Sequence, residues 1–198
     1  MRIFVAGATG AVGSRLVPRL LSAGHSVIGL THTPAKAAAL RELDVEPVVA
    51  DALDGNSIHA AVRAAQPDVI IHELTDLKGA TDLRRFDRVF AASNRLRTTG
   101  TDHLLAAALA AGVKRIVAQS FCGWPYARTG GPVKSEDDAL DPNPPREMRR
   151  TLDAIRHVER AVTTSPFFTG VVLRYGPFYG PNTGLLEAAL VDQVRRRR

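Results

Sequence analysis

The sequence contains a single cysteine, Cys122, in 198 residues. One thiol cannot form an internal disulfide, so the chain does not belong to the disulfide-stabilised class and suits a reducing compartment. No uninterrupted apolar run approaches the roughly 20 residues that a membrane-spanning helix needs. The first strand-like run starts at Ile3, which leaves no room for the basic and apolar regions of a signal peptide. These absences predict a soluble cytoplasmic protein without a membrane partner.

Acidic residues are fewer than basic ones, 20 against 26, which gives a formal net charge of +6. Four of the basic residues form the terminal run 195–198, and the other arginines are scattered among acids. This distribution favours a solvated terminus and a mildly basic surface that attracts phosphate-bearing ligands, rather than a nucleic-acid interface. We therefore expect neither a nucleic-acid partner nor a metal site.

The bulk composition is that of an ordinary globular protein, with 45% hydrophobic and 23% charged residues. A chain of this length is long enough for one well-buried core and somewhat short for two. We expect residues 1–198 to form one domain.

The stretch from Ile3 to Gly13 joins a short apolar run to three glycines spaced three apart. Gly7 permits a sharp turn off a strand end, Gly10 lets the backbone approach a pyrophosphate, and Gly13 lets a helix lie close against the sheet. The free N–H groups and positive dipole end of that helix would face the phosphates. Because the glycines follow a strand and open an amphipathic helix, they predict a dinucleotide site rather than an ordinary glycine-rich loop. The candidate cofactor-binding residues here are Gly7, Thr9, Gly10, Ala11, Val12 and Gly13.

Apolar runs of strand length alternate with helical patterns along the chain. We predict strands at 3–5, 26–30, 45–50, 69–72, 114–120 and 169–174. One helix follows the glycines, and further helices are predicted at 34–43, 57–65, 83–111 (interrupted at Gly100), 146–164 and 185–194. Residues 121–145 are rich in glycine and proline, which is typical of a functional or mobile loop. With right-handed crossovers, this order predicts an α/β fold of the Rossmann type, a doubly wound parallel sheet ordered 3-2-1-4-5-6.

Four stretches together resemble the extended short-chain dehydrogenase/reductases, of the NAD-dependent epimerase/dehydratase type. They are residues 7–13, Asp51-Ala52-Leu53, residues 112–117 running on to Ser120, and Leu173-Arg174-Tyr175 followed by Tyr179-Gly180-Pro181. The resemblance covers essentially the whole chain. It implies an NAD(P) cofactor and an oxidoreductase or epimerase/dehydratase activity on a small hydroxyl or carbonyl compound.

The resemblance also implies positions along the cofactor. Asp51, with Ala52 and Leu53 beside it, would contact the adenine edge, and Leu74 and Thr75 would lie along the dinucleotide. Residues after the sixth strand would flank the nicotinamide. The residue-based alternative for Asp51 is a helix N-cap or a strand-end carboxylate.

The choice between NAD and NADP depends on charge at the end of the second strand. An acid there would bind the ribose 2′-OH of NAD, whereas a basic residue favours the 2′-phosphate of NADP. Residues 30–33 contain no acid, while His32, Lys36 and Arg15 could meet a phosphate. The sequence therefore favours NADP over NAD, and the alternative for His32 is a surface histidine in a turn.

The catalytic pair of the resembling family is missing. That pair is a Tyr followed four residues later by a Lys that lowers its pKa, so that the phenol can pass a proton as hydride moves. If Glu159 is taken as the acid that follows the Lys by four, the two positions hold Thr151 and Ile155. A shift by one residue gives Leu152 and Arg156, and no Tyr-x-x-x-Lys occurs in the chain.

Two hydroxyls remain as catalytic candidates. Ser120 stands at the end of the fifth strand, although strict alignment could place Phe121 at the family's catalytic Ser/Thr position. Tyr126 is the only phenol close enough in sequence to substitute for the missing one, and its alternative role is packing on Trp124.

Members of the resembling family usually continue for roughly another hundred residues, which build a substrate domain. We expect that domain to be missing or truncated here, with an exposed apolar face around Trp124, Phe178 and Tyr179 and self-association through it. Two functions are open: an NAD(P)-dependent enzyme, and a non-catalytic NAD(P)-binding redox sensor or interaction protein.

Overall fold

Six parallel strands form one sheet in a computed structural model that describes residues 1–77, 83–178, 183 and 195–196. The strand order is β3-β2-β1-β4-β5-β6, which confirms the predicted doubly wound order. The strands are β1 (Arg2–Ala6), β2 (Ser26–Thr31), β3 (Glu46–Val49), β4 (Val69–His72), β5 (Arg115–Phe121) and β6 (Thr169–Tyr175).

Helices cover both faces of the sheet. They are α1 (Gly13–Ser22), α2 (Pro34–Arg41), α3 (Gly55–Ala65), α4 (Phe86–Val89), α5 (Ala91–Arg95), α6 (Thr101–Ala110) and α7 (Arg149–Thr163). One core cluster joins alternate strand residues to α3, α6 and α7. The other joins the intervening strand residues to α1 and α2. Because β1 and β4 are buried from both sides, they are apolar runs rather than alternating ones.

The predicted long helix at 83–111 is divided in the structure. A 3₁₀ turn, Leu83–Arg85, precedes α4, and a π-helical turn, Leu96–Gly100, separates α5 from α6. At that turn Thr101 Oγ1 donates to the carbonyl of Arg97 at 2.7 Å, and Thr98 Oγ1 donates to the carbonyl of Asn94 at 2.9 Å. Hydroxyls that bond one turn back bend helices. The backbone stays helical through Gly100, so the predicted interruption there takes the form of a π-helical turn. The division between α4 and α5, at Phe90, was not predicted.

The segment between β5 and α7 has little regular structure, as predicted. An isolated bridge pairs Tyr126 with Leu140. A 3₁₀ turn, Arg146–Met148, precedes α7, so the predicted helix starts three residues too early. The predicted helix 185–194 and the stretch Tyr179-Gly180-Pro181 lie outside the described residues.

Candidate functional site

The turn after β1 is held so closely that two of its glycines have no room for a side chain. Gly7 has a φ of +96°, and a Cβ built on it would lie 2.6 Å from the carbonyl oxygen of Glu73. A Cβ on Gly13 would lie 2.2 Å from the carbonyl oxygen of Gly7. Gly13 therefore packs against the turn itself, whereas the sequence predicted contact with the sheet. Gly10 is exposed, and a Cβ there would meet only Gly7 O, at 3.2 Å.

Helix α1 begins at this turn without a side-chain cap. Val12 is its N-cap residue, and no acidic residue lies in its first turn. The positive end of the helix dipole is therefore not balanced by a carboxylate of the helix itself. An exposed glycine in front of an uncapped helix start is a cradle that fits a pyrophosphate.

A cleft of about 310 Å³ opens beside this turn at the carboxyl ends of the strands. It is lined by every predicted cofactor-binding residue except three, Ala11, Val12 and Gly13, which lie at the helix start. The predicted residues in the lining are Gly7, Thr9, Gly10, His32, Asp51, Ala52, Leu53, Leu74 and Thr75. The volume is in the range of small-ligand sites. The fold thus brings together segments from four different strand ends.

Asp51 lies in this lining with one oxygen already used. Its Oδ1 accepts a hydrogen bond from the backbone N–H of Leu53 at 2.9 Å. The N-cap of α3 is Asp54, whose side chain accepts from Asn56 N, so the cap alternative for Asp51 is wrong. Asp51 is itself exposed, and its carboxylate stands at a strand end beside the cleft.

The end of β2 carries basic groups toward the cleft. His32 and Lys36 both line it. Arg15 does not, and its guanidinium donates to the carbonyl of Ala11 at 2.9 Å. Arg95 of α5 and Asp76 also line the cleft, and sequence reasoning had not identified either.

Behind the cleft, His72 is buried on the α6 side of the sheet. Its Nε2 lies 2.9 Å from Thr101 Oγ1, and its Nδ1 accepts the backbone N–H of Leu74 at 3.2 Å. Since Thr101 Oγ1 donates elsewhere, to Arg97 O, Nε2 carries the proton of a neutral ring. Burial, with a smaller contribution from Arg97, lowers the pKa of His72 to about 4. This histidine therefore holds the backbone of Leu74 in place at the cleft wall.

Glu73 points the other way, into the cleft, and is 5% exposed. Its Oε1 accepts a hydrogen bond from the hydroxyl of Tyr175 at 3.3 Å. Its Oε2 is buried and has no partner among the described residues. Burial raises the pKa of Glu73 to about 7, although the Tyr175 hydrogen bond acts in the opposite direction. Burial and the neighbouring carboxyl raise the pKa of Tyr175 to about 12.

The hydroxyl of Ser120 lies outside this lining. Ser120 is 3% exposed, and its Oγ donates to Glu159 Oε1 at 2.6 Å. Arg174 holds both oxygens of the same carboxylate, at 2.9 and 2.8 Å. That bidentate pair raises the pKa of Arg174. The geometry around Ser120 is that of a satisfied hydrogen-bond network, and its catalytic role stays a prediction.

Tyr126 belongs to the same network. Its hydroxyl accepts from Arg174 at 3.3 Å, and the guanidinium lies 5.3 Å from the ring centroid. Trp124 instead packs edge-on against Phe86 at 5.2 Å. The ring partner of Tyr126 is therefore Arg174 and not Trp124.

The positions of the missing Tyr/Lys pair are filled by buried structural residues. Thr151 is 2% exposed, donates to Asp87 Oδ1 at 2.7 Å and accepts from Asn94 Nδ2 at 3.0 Å. Ile155 is 1% exposed. In the alternative register, Leu152 is fully buried and Arg156 pairs with Asp153. Neither register brings a proton-transferring side chain to the cleft.

Comparison with known proteins agrees with this geometry. A family model described as NAD(P)H-binding matches residues 7–192. A 3-diazoavenalumate denitrifying reductase from a Streptomyces species is 44% identical over 191 residues. A 4-hydroxy-2-methyl-3-oxo-4-farnesyl-3,4-dihydroquinoline-1-oxide ketoreductase from Stigmatella aurantiaca is 27% identical over 200 residues. The UDP-glucose 4-epimerase of Thermus thermophilus, in complex with NAD, superposes with a TM-score of 0.74 and 25% identity.

These matches cover this chain almost completely and the other proteins only in part. The match to the Streptomyces reductase covers 93% of this chain and 58% of that protein. The corresponding shares are 100% and 56% for the ketoreductase, and 98% and 61% for the epimerase. The chain thus spans somewhat more than half the length of each. Among the described residues, no helix has the length and hydrophobicity for a membrane crossing.

Proposed function

Because the chain belongs to the NAD(P)H-binding family, and within it to the extended short-chain dehydrogenase/reductases, we propose that it is an NAD(P)-dependent oxidoreductase acting on a small hydroxyl or carbonyl compound. The observation that carries this proposal is the cleft, in which an exposed Gly10 lies before an uncapped helix start. The reductase and ketoreductase relatives support the direction of the chemistry. In this proposal residues 1–198 form one Rossmann domain.

The cofactor of the proposed enzyme is a nicotinamide dinucleotide, with NADP favoured over NAD. His32 and Lys36 supply basic side chains beside the turn after β2, and residues 30–33 contain no acid to bind a ribose 2′-OH. When bound, the reduced cofactor supplies the hydride. Residues 7–13 would hold the pyrophosphate, Asp51 would contact the adenine edge, and Leu74 and Thr75 would lie along the dinucleotide.

A second candidate substrate class is an aryl diazonium compound. The Streptomyces relative that is 44% identical to this chain is named a 3-diazoavenalumate denitrifying reductase. Hydride addition to a carbon that bears a diazonium group expels dinitrogen and leaves a C–H bond, so the atoms balance without a proton donor. The lack of a Tyr/Lys pair at Thr151 and Ile155 is compatible with that reaction.

The test begins with NADPH, NADH and their oxidised forms, titrated against the purified chain. Cofactor consumption is then followed with small ketones and aldehydes, their alcohols, and an aryl diazonium salt, and the products are identified by mass spectrometry. Carbonyl reduction is the expected result. Dinitrogen release would instead favour the second candidate. Tight binding without turnover of any compound would favour the non-catalytic alternative, and absence of dinucleotide binding would overturn the proposal.

A further inference from the structure

Glu73 is a buried acid that the surrounding fold leaves partly unsatisfied. Its Oε2 accepts no hydrogen bond from the described residues, and its Oε1 has only the long contact with the Tyr175 hydroxyl. Burying a carboxyl in this way costs free energy, because water is removed and nothing replaces it. Within the described part of the chain, no salt bridge reaches this side chain.

Glu159 offers a comparison inside the same fold. It is also largely buried, yet its oxygens accept hydrogen bonds from Ser120 and from both arms of Arg174. That is how a structural carboxylate is normally satisfied. Glu73 differs in having one oxygen without a partner among the described residues, in the lining of the cleft, which leaves that oxygen available to a ligand.

The neighbours of Glu73 locate it along the cleft. Its backbone N–H donates to Ala6 O at 2.8 Å at the end of β1, beside the pyrophosphate turn. Its side chain reaches past the end of β5 to Tyr175, the last residue of β6. The end of β6 leads into the residues that, by the family resemblance, would flank the nicotinamide half of the cofactor. Glu73 therefore lies between the phosphate cradle and the reacting end.

We infer that Glu73, hydrogen-bonded to Tyr175, is the proton donor and acceptor of this oxidoreductase, in place of the absent Tyr/Lys pair. The inference rests on the proposed function. In carbonyl reduction the substrate carbon gains a hydride and its oxygen gains a proton. The carboxyl proton of Glu73 passes to that oxygen, either directly or through Tyr175, which gives up its own proton and takes the carboxyl proton. The alcohol forms, the carboxylate remains, and water reprotonates it.

The electrostatic surroundings suit this role. Tyr175 faces Glu73 from β6, and residues 7–10 of the turn carry no charge. Farther along, the charged or titratable residues of the cleft lining are His32, Lys36, Asp51, Asp76 and Arg95. His72 lies on the opposite face of the sheet. A carboxyl whose pKa burial raises to about 7 populates both protonation states near neutral pH, as a general acid–base requires.

The direct test needs no substrate. Oxidised nicotinamide carries a positive charge that the reduced ring lacks, so ionised Glu73 stabilises the oxidised form selectively. We expect the affinity for NADP⁺ relative to NADPH to rise about tenfold between about pH 5.5 and about pH 8.5. Glu73→Gln should abolish this pH dependence. Glu46→Gln, which removes an exposed acid at the start of β3 and outside the cleft lining, should preserve it.

A second measurement addresses the proton transfer itself. In Glu73→Gln, carbonyl reduction should fall about a hundredfold or more while NADPH affinity stays within about threefold of the parent value. Tyr175→Phe should retain the pH dependence of binding, since the carboxyl remains.

The inference would be overturned if Glu73→Gln kept the pH-dependent affinity ratio, or if it reduced carbonyls at the parent rate. If the parent chain binds dinucleotide with a pH-independent ratio, the inference about Glu73 fails and the proposed function stands. If the parent chain binds no dinucleotide, the proposed function fails first.

Discussion

Gly10 is the residue at which cofactor binding is separable from folding. Gly7 and Gly13 meet backbone atoms at 2.6 and 2.2 Å, so side chains there would distort the turn, whereas Gly10 meets only one atom, at 3.2 Å. We expect Gly10→Val to fold and to lose the stabilisation by NADP, because the valine occupies the place of the pyrophosphate. That stabilisation is about 2.7 kcal/mol at a hundred times Kd.

Thermal unfolding with and without NADP measures the effect. Gly131→Val is the matched control, since a Cβ at Gly131 meets nothing within 4 Å. A folded Gly10→Val protein with undiminished cofactor stabilisation would contradict the glycine-turn assignment.

His32 is the residue on which the cofactor preference is expected to depend. We expect NADP(H) to bind at least as tightly as NAD(H), and His32→Asp to reverse that order by putting a carboxylate against the 2′-phosphate. Calorimetric titration with both cofactors gives the ratio of the two dissociation constants. His59→Asp makes the same chemical change on an exposed position of α3, away from the cleft, and should leave the ratio unchanged. Tenfold tighter NAD binding by the parent chain would remove the basis of this prediction.

Glu73 makes the stability of the fold depend on pH. Burial raises its pKa to about 7 in the folded protein, against an ordinary value of 4.5. Between those values the folded state holds a proton that the unfolded chain has lost, so the free energy of unfolding falls as pH rises through this window. Glu73→Gln removes that penalty. We expect the free energy of unfolding of the variant to exceed that of the parent by on the order of 2 to 3 kcal/mol at about pH 8, and by little at about pH 4.5.

Urea unfolding at the two pH values checks this expectation. Glu46→Gln, at an exposed position, serves as the control and should show no comparable pH-dependent gain. An equal difference between Glu73→Gln and the parent at both pH values would show that the carboxyl does not titrate as described.

Among the elements, α7 depends at its start on a carboxylate from another helix. Asp87 of α4 accepts hydrogen bonds from the backbone N–H groups of Arg150 and Thr151, at 3.0 and 2.8 Å. Met148, the N-cap residue of α7, makes no capping hydrogen bond with its own side chain. Asp87→Ala should therefore lower the free energy of unfolding by about 1 to 2 kcal/mol, as loss of a helix cap does.

Asp153→Ala is the control on the same helix. Asp153 pairs with Arg156 on the surface, and its loss should cost less than about 0.5 kcal/mol. Urea unfolding measures both losses. Equal losses in the two variants would show that Asp87 does not act as the cap.

At the scale of the molecule, and among the described residues, β6 carries exposed apolar side chains, whereas Trp124 is not an exposed one. Trp124 is half-buried because Phe86 packs against it, and Tyr179 lies outside the described residues. Val171 and Leu173 are 41% and 40% exposed on one face of β6, and Phe178 is 47% exposed. The sequence expectation for this patch is therefore wrong for Trp124 and holds for Phe178.

We expect a second copy of the chain to cover this β6 face. It is an apolar sheet face at the edge of the described strands, and such faces tend to be covered by another subunit. Sedimentation velocity should show concentration-dependent association, and Val171→Thr with Leu173→Thr should weaken it at least about tenfold. Val133→Thr, at an 87% exposed loop position, should not. A parent chain that stays monomeric at all concentrations would contradict the expectation.

The strand order and about half of the cleft lining could be predicted from the amino-acid sequence. Both follow from local information, because strand and helix periods are present in consecutive residues and the turn after β1 needs glycine at Gly7 and Gly13. Parallel strands then bring their carboxyl ends to one edge, which places His32 there, whereas Asp51 and Thr75 were expected there from the family resemblance. The turn at Phe90, which divides α4 from α5, was missed, since no glycine or proline marks it in the sequence.

The roles of individual side chains, by contrast, depend on contacts between distant parts of the chain. Glu73 and Tyr175 are separated by 102 residues, and Asp87 and Thr151 by 64. Such pairs depend on which strands and helices become neighbours and on how far a side chain reaches across the intervening element. The hydroxyl of Ser120, a catalytic candidate in the sequence, is bonded to Glu159 because α7 packs on that face of β5. Glu73 carries no motif of its own, and it stands out only because the fold buries it beside the cleft with one oxygen unpaired among the described residues.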